Sequence, residues 1–352
     1  MKARLLPSTH TLLELRGTAR QCGEEYGRSQ AELIRAIMVM EVLPDRARRS
    51  YARQCWTHLK DWLQPVTEWI LGMARGSDLS PEEITLILLH EEIVHTKPCS
   101  AVGATRGGSR DGRPIIGQNW DWNSRMYPWS SLIRSRTDSM PRMLTYAYPG
   151  LWACAGVNEF GLSLVWTGTG YTPKIKPRVG IPTYALLAGI FTRHSCAEVL
   201  SLLRRTRIAG SFIFFVADAN GDVFVIESLN GELEVERCVD VVDRANHFES
   251  KRLVRLSGQK VPRDSYKITT LNRTCRATEL MQKHNGRVDR HVVEAILRDH
   301  HPRKGMSICV HSMRENNYAG LTVDSFYALP AKREFWIARG LQCRHEYTRH
   351  RV

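Results

Sequence analysis

The stretch from Pro98 to Trp122, PCSAVGATRGGSRDGRPIIGQNWDW, constrains the fold of this chain more than any other. Asp111-Gly112 supplies the positive φ that a tight turn needs, and Arg113-Pro114 delays re-entry into a ladder, so the stretch reads as two strands of a hairpin. Cys99 opens the first strand and Asp121 lies near the far end of the second. Antiparallel return brings that carboxylate back to the end where the first strand began. A thiol and a carboxylate therefore share one end of a sheet.

Upstream, residues 1–96 read as mostly helical. Thr18 with Gln21 has the form of a capping box, and Leu33, Ile34 and Ile37 continue at helical spacing. Trp56, Leu59, Leu63, Val66 and Ile70 form a core stripe that Pro65 is expected to bend. Ser80, Pro81, Glu82 and Glu83 open the best-marked helix, which runs out near His95 and Thr96. Downstream the pattern turns to strands at Met143–Tyr148, Leu151–Gly156 and Leu162–Trp166. A helix over Tyr184–Arg205 follows, then a meander at Phe212–Val216, Val223–Glu227 and Leu233–Cys238, with turns at Asn220-Gly221 and Asn230-Gly231. Helices over Tyr266–His284 and Val292–Asp299 precede strands at Ile308–His311, Leu321–Ala328 and Phe335–Ala338. Strand groups interleaved with helix pairs indicate layered sheets with mostly antiparallel pairing. No linker separates the helical first hundred residues, which are expected to pack on the sheets as part of one unit.

Composition excludes several classes. With 43% hydrophobic and 24% charged residues the chain is an ordinary globular one. Its +14 charge is spread along the sequence without a nucleic-acid-binding signature, which fits anionic small molecules and argues against nucleic acid as a partner. Nine scattered cysteines lack the spacing of a disulfide scaffold and suit a reducing, cytoplasmic setting. Neither a signal peptide nor an apolar run of membrane-spanning length is expected.

A cysteine attacks as thiolate and needs a base or a cation nearby. Two sources are open. Cleavage of the bond between Pro98 and Cys99 would free the α-amine of Cys99, whose ordinary pKa of roughly 7.7 to 8.0 suits a general base. Alternatively Cys99 pairs with His247, about 150 residues downstream, a separation like that of papain-like enzymes. Against this, no Cys-Gly-Ser-Cys-Trp context is present, and the adjacent Asn246 and His247 would face opposite sides of a strand.

The order of motifs resembles the N-terminal-nucleophile hydrolases of the isopenicillin N acyltransferase-like (peptidase C45) family, related to penicillin V acylase and bile salt hydrolase. The likeness runs over nearly the whole chain: Leu15-Arg16-Gly17-Thr18 and Gly23 to Gly27, Cys99, Gly117 to Trp122, Gly156 to Leu162, Ala217 to Gly221, Asn246-His247-Phe248, the Arg273/Arg276 helix and Ser307 to His311. Thr322 to Ser325 and Gly340 to Cys343 complete it. The resemblance implies an α+β fold, a four-layer αββα sandwich with a helical N-terminal segment. It also implies autocatalytic cleavage into 1–98 and 99–352. Cys99 would be nucleophile and, through its amine, base; Asp121 would hold amine and thiol; Asn246 would donate its side-chain amide to an oxyanion. Arg273 would lie near the nucleophile, with Arg276 and Thr167 in substrate binding. The reaction would carry an acyl group from a small-molecule amide or thioester through an S-acyl enzyme to water or an amine. No cofactor is implied, acyl-CoA entering only as a substrate.

Three positions depart from the family pattern: Pro98 replaces the usual glycine, Ser100 the usual threonine, and Thr167 a second asparagine. They motivate a contrary reading, an uncleaved relative that uses the sandwich as a binding scaffold. Glu227 reads as a structural partner for an arginine. Cys309-x-His311 and Cys343-x-His345 place thiol and imidazole two apart on a strand face, but this spacing matches no common zinc pattern, and no metal is expected.

Overall fold

The computed structural model describes residues 9–94, 99–126, 128–169, 176–260, 268–302, 305–311, 313–315 and 318–352. Its strands are β1 (Thr11–Gly17), β2 (Cys99–Ala104), β3 (Ile115–Asn123), β4 (Ser131–Thr137), β5 (Met143–Ala147), β6 (Ala155–Asn158), β7 (Ser163–Gly168), β8 (Ser211–Ala217), β9 (Val223–Leu229), β10 (Glu232–Arg237), β11 (Val241–Arg244), β12 (Met313–Glu315), β13 (Tyr318–Leu329), β14 (Glu334–Arg339) and β15 (Thr348–Arg351). They form one sheet in the order β1-β4-β5-β6-β7-β8-β9-β10 and a second in the order β11-β2-β3-β13-β14-β15, with β12 on β13. All ladders are antiparallel except β1 on β4.

The helices are α1 (Ala19–Ser29), α2 (Ala31–Ile37), α3 (Arg46–Leu59), α4 (Gln64–Ser77), α5 (Pro81–Leu88), α6 (His90–Ile93), α7 (Thr183–Ile190), α8 (Cys196–Arg205), α9 (Lys251–Ser257), α10 (Ile268–Lys283) and α11 (Arg290–Leu297). Together the layers make the αββα sandwich. Helices α10 and α11 cover the outer face of the second sheet, where Val102, Ala104 and Ile115 meet Ala277, Met281, Val293, Ile296 and Leu297. The N-terminal helices pack on the first sheet, Trp69 stacking on Trp152 at 4.1 Å and the Tyr26 hydroxyl donating to the carbonyls of Tyr148 and Leu151. Between the sheets Trp120 sits among Trp122, Tyr146, Tyr148 and Trp166, with ring centroids 5.5–6.3 Å apart. No described helix is long and apolar enough to cross a membrane.

Local rules account for much of this. Thr18 and Ser80 both close capping boxes, with Gln21 and Glu83. Asn230 and Gly231 both take positive φ, the signature of the two-residue hairpin turn joining β9 to β10. Elsewhere tertiary context corrects the sequence reading. Pro65 bends no helix: the stripe is split between α3 and α4, and Pro65 starts α4, where a missing N–H has no cost. The span Tyr184–Arg205 is two helices, because Ser195 caps α8 afresh. Residues 11–17, read as part of a helical region, are the strand β1. Leu151–Cys154 is irregular chain, so β6 begins only at Ala155, and Ile308–His311 is irregular as well. Strands β4, β11 and β15 and helix α9 were not anticipated from the pattern. The ends assigned near His95, Thr96 and Tyr266 lie outside the described residues.

Candidate active site

Strands β2 and β3 pair as the hairpin requires, with Cys99 opposite Trp120. Alternation along β2 turns Cys99, Ala101 and Gly103 toward the first sheet, where Gly103 lies against Phe215. Ser100 points the other way, accepting from Arg273 on α10 at 2.8 Å. In β3 Gln118 reaches across to the backbone N–H of Trp166 at 2.8 Å, whereas Asn119 donates outward to the carbonyls of Leu297 and Ile308, both at 2.9 Å. Asp121 shares the face of Asn119 by the same alternation. Thiol and carboxylate thus share one end of the sheet from opposite faces.

The backbone of Cys99 is held on both of its polar atoms. The Cys99 N–H donates to Asn246 Oδ1 at 2.8 Å, and Arg273 Nη1 donates to the Cys99 carbonyl. Arg273 Nη2 donates to the same Asn246 oxygen at 2.7 Å. The Asn246 side-chain amide nitrogen donates one hydrogen to the Gly168 carbonyl at 3.0 Å, and it is the amide oxygen that meets the Cys99 N–H. Two donors converging on one side-chain oxygen determine which way the amide is turned. Thr167 supports the same corner by donating to the Ala245 carbonyl at 2.5 Å. Thr270 bridges the Asn246 N–H at 2.8 Å and His247 Nδ1 at 2.9 Å.

The site is dry. Cys99 is 2% exposed and Asp121, Asn246 and Arg273 are equally buried. Burial, reinforced by the charge of Asp121 and partly offset by the Asp121 backbone N–H and by Arg273, pushes the Cys99 thiol up to about 12. Burial also lifts Asp121 to about 7 against the pull of Arg273 and of the Thr322 hydroxyl, which donates to Asp121 Oδ1 at 2.6 Å. Its second oxygen, Oδ2, has no hydrogen-bond partner among the described residues. An unsatisfied buried carboxylate oxygen beside a strand terminus is a place prepared for a further donor.

His247 is held by Thr270, and burial together with Arg273 depresses it to about 4. Among the described residues no hydrogen bond joins it to Cys99, which removes the geometry a Cys-His pair needs. Arg276 lies outside the site: it forks onto Asp299 at 2.7 and 3.1 Å and also pairs with Glu279. Glu227 accepts from Arg244 and from the N–H groups of Glu249 and Ser250 at the start of α9, a structural role. Pro98 lies outside the described residues. Sequence reasoning missed Glu91, Thr270 and Thr322. Glu91 fits its carboxylate where Gly168 has no side chain and adds to the upward push on the thiol. Its signal was the acidic pair Glu91-Glu92 inside an otherwise apolar run just before Cys99.

A four-layer αββα sandwich with a cysteine at the head of an inner strand, flanked by aspartate, asparagine and arginine, defines the N-terminal-nucleophile class. Within it, the chain belongs to the acyl-coenzyme A:6-aminopenicillanic acid acyl-transferase family, whose sequence profile matches residues 107–336. The match contains Asp121, Asn246 and Arg273 and begins after Cys99. It makes the protein an enzyme of an acyl-transferase family. Among solved structures the chain is similar to a variant of conjugated bile acid hydrolase from Clostridium perfringens, at 14% identity over 71% of this chain and 97% of that one, with a TM-score of 0.47. It is also similar to a Caenorhabditis elegans N-acylethanolamine-hydrolyzing acid amidase ortholog, at 13% identity over 66% and 93% with a TM-score of 0.44. A third is penicillin V acylase from Agrobacterium tumefaciens, at 11% identity over 68% and 82% with a TM-score of 0.41. No curated protein matches the chain.

Proposed function

We propose that the chain cleaves itself before Cys99 and then acts as an N-terminal-cysteine amidohydrolase or acyltransferase on a small acyl amide or acyl thioester. The observation that carries this reading is the bond from the Cys99 N–H to Asn246 Oδ1 at 2.8 Å, beside a carboxylate with one unpartnered oxygen. In the cleavage step the Cys99 sulfur adds to the carbonyl carbon of residue 98, the C–N bond breaks, and the thiol proton passes to the departing nitrogen. Water then hydrolyses the resulting thioester and leaves a free amine on Cys99. That amine stays on Asn246 Oδ1 and gains Asp121 Oδ2 as a further acceptor.

The new amine also changes the thiol. With a pKa near the ordinary ~7.7 to 8.0 it takes the sulfur's proton, and the ammonium so formed offsets the burial that holds the thiol protonated. The thiolate attacks the substrate's carbonyl carbon, and the leaving amine or thiol departs with the proton from the Cys99 ammonium. Water or an acceptor amine then takes the acyl group from sulfur. Arg273 positions the Cys99 peptide and Asn246, and Thr167 fixes the backbone that carries Asn246. No cofactor enters this chemistry, and the nine unbridged cysteines suit a cytoplasmic enzyme.

Intact-mass measurement of the purified full chain tests the proposal. The expected result is a fragment beginning at Cys99 that the Cys99→Ala variant fails to release, with turnover of acyl amides or thioesters confined to the cleaved form. A single uncleaved species inert to acyl substrates and thiol reagents would favour the scaffold reading.

A further inference from the structure

Three segments meet beside β13, where Val310 bonds Thr322. His300 follows α11, Cys309 and His311 lie in the irregular segment before β12, and Cys343 lies in the turn after β14. One ligand atom from each of the four lies within 4.8 Å of every other. His300 Nε2 is 3.0 Å from His311 Nε2, which in turn is 3.1 Å from Cys343 Sγ, and the two imidazoles meet edge to face at 4.7 Å and 83°. The sequence pairs Cys309 and His311 with Cys343 and His345. The fold keeps the first three and replaces His345 with His300, from a segment that no spacing rule connects to the others.

We propose that His300, Cys309, His311 and Cys343 form a structural zinc site. Two thiolates and two imidazoles are the ligand set of closed, tetrahedral zinc centres. Bonds of ~2.3 Å to sulfur and ~2.0 to 2.1 Å to nitrogen place ligand atoms roughly 3.3 to 3.8 Å apart, slightly beyond the two shortest separations present here and inside the 4.8 Å that bounds them all. Soft sulfur donors select against magnesium and calcium, and four protein ligands leave no open position for catalysis. Zinc binding would displace the two thiol protons, and with them the Cys343 and imidazole contacts that hold the cluster without metal.

The site also has something to hold. Cys309 N–H donates to the Asp299 carbonyl at 3.1 Å. Val310, between the two ligands, is bonded to Thr322 twice: its N–H donates to Thr322 Oγ1 at 3.0 Å, and Thr322 N–H donates to its carbonyl at 2.8 Å. The first bond occupies the acceptor side of the Thr322 hydroxyl and aims its proton at Asp121. The Val310–Thr322 link therefore makes the metal a positioning device for Asp121, and its presence does not depend on whether Cys99 is the nucleophile.

Elemental analysis of the full chain as purified is expected to give about one zinc per chain. Cobalt(II) added to chelator-stripped protein is expected to give the visible bands of tetrahedral coordination and a thiolate charge-transfer band. His300→Ala and Cys343→Ser are each expected to weaken cobalt binding by at least about 100-fold, whereas His345→Ala binds normally. Should the variants fail to fold, zinc protection of Cys343 from alkylation in the unaltered chain replaces them. The proposal is overturned by sub-stoichiometric metal together with a cobalt spectrum lacking the charge-transfer band. It is overturned equally by loss of binding in His345→Ala alone, or by a Cys309–Cys343 disulfide in protein kept under reducing conditions.

Discussion

Asp121 and Cys99 both hold their protons to higher pH than free groups for one reason, burial without a sufficient compensating cation. This yields a pH signature for the uncleaved chain. The folded value of Asp121, about 7, stands above the ordinary ~3.9, so between those limits the folded state binds a proton that the unfolded state has released. The contribution of this group to stability is complete below about pH 4 and is lost as pH rises through about 7. In a Cys99→Ala background, Asp121→Asn is expected to flatten that part of the stability profile; urea denaturation across the range checks it, and an unchanged slope counts against the burial argument. Asn246→Ala in the cleaved enzyme removes the acceptor that holds the amine and should lower kcat/KM by about 100-fold, the scale set by misplacing a reacting group by roughly 1 Å. Steady-state kinetics on an acyl amide or thioester that the cleaved form turns over measures this. The residue identities were legible, since Cys99, Asp121 and Asn246 stand in motifs. The direction of the Asn246 amide was not, because it depends on Arg273 and Gly168, which reach it from other parts of the chain.

A close contact between two helices was also hidden. Helices α1 and α4 cross through four glycines, two from each: a Cβ on Gly23 would stand 2.1 Å from the Trp69 carbonyl oxygen, and one on Gly72 would stand 2.0 Å from that of Arg20. Gly27 and Gly76 meet Met73 and Glu24 at 2.4 and 2.1 Å. Glycine in a helix interior ordinarily costs ~0.5 to 1 kcal/mol relative to alanine, so Gly→Ala on an open face stabilises. Here the sign reverses: Gly72→Ala forces the backbones apart and is expected to destabilise by roughly 3 kcal/mol, the upper range for overpacking. Chemical denaturation of the variant decides between the two. Two glycines four residues apart in each helix are visible in the sequence, but their partners are set by how the helices cross. The edge strands were hidden for a related reason. Strand β1 pairs in parallel with β4, so its identity rests on a partner in another part of the chain and not on a turn beside it.

At the scale of the whole molecule, the segment before Cys99 is woven into the rest. Strand β1 is an edge of the first sheet, Glu92 accepts from Thr183 N and Oγ1 at 2.8 and 2.7 Å, and His10 meets Asp324 at 2.8 Å in the interior. The stacked pair of Trp69 and Trp152 adds an aromatic contact across the same boundary. Cleavage before Cys99 should therefore leave both fragments associated. They are expected to co-elute on size exclusion under native conditions and to part only in denaturant; separation in native buffer would contradict these contacts.

By itself the sequence determined what short-range rules govern: the pairing of β2 with β3 as a hairpin, the capped starts of α1 and α5, the Asn230-Gly231 turn and the order of the motifs. Turn φ angles, caps and hydrophobic periods are satisfied within a few residues, so they can be read along the chain. Tertiary structure alone decided which oxygen meets the Cys99 nitrogen, that Thr322 serves Asp121, that His300 and not His345 joins Cys309, His311 and Cys343, and that α1 and α4 cross at their glycines. Each of these depends on register and packing between distant segments, where a single step along a strand turns every side chain to the opposite face.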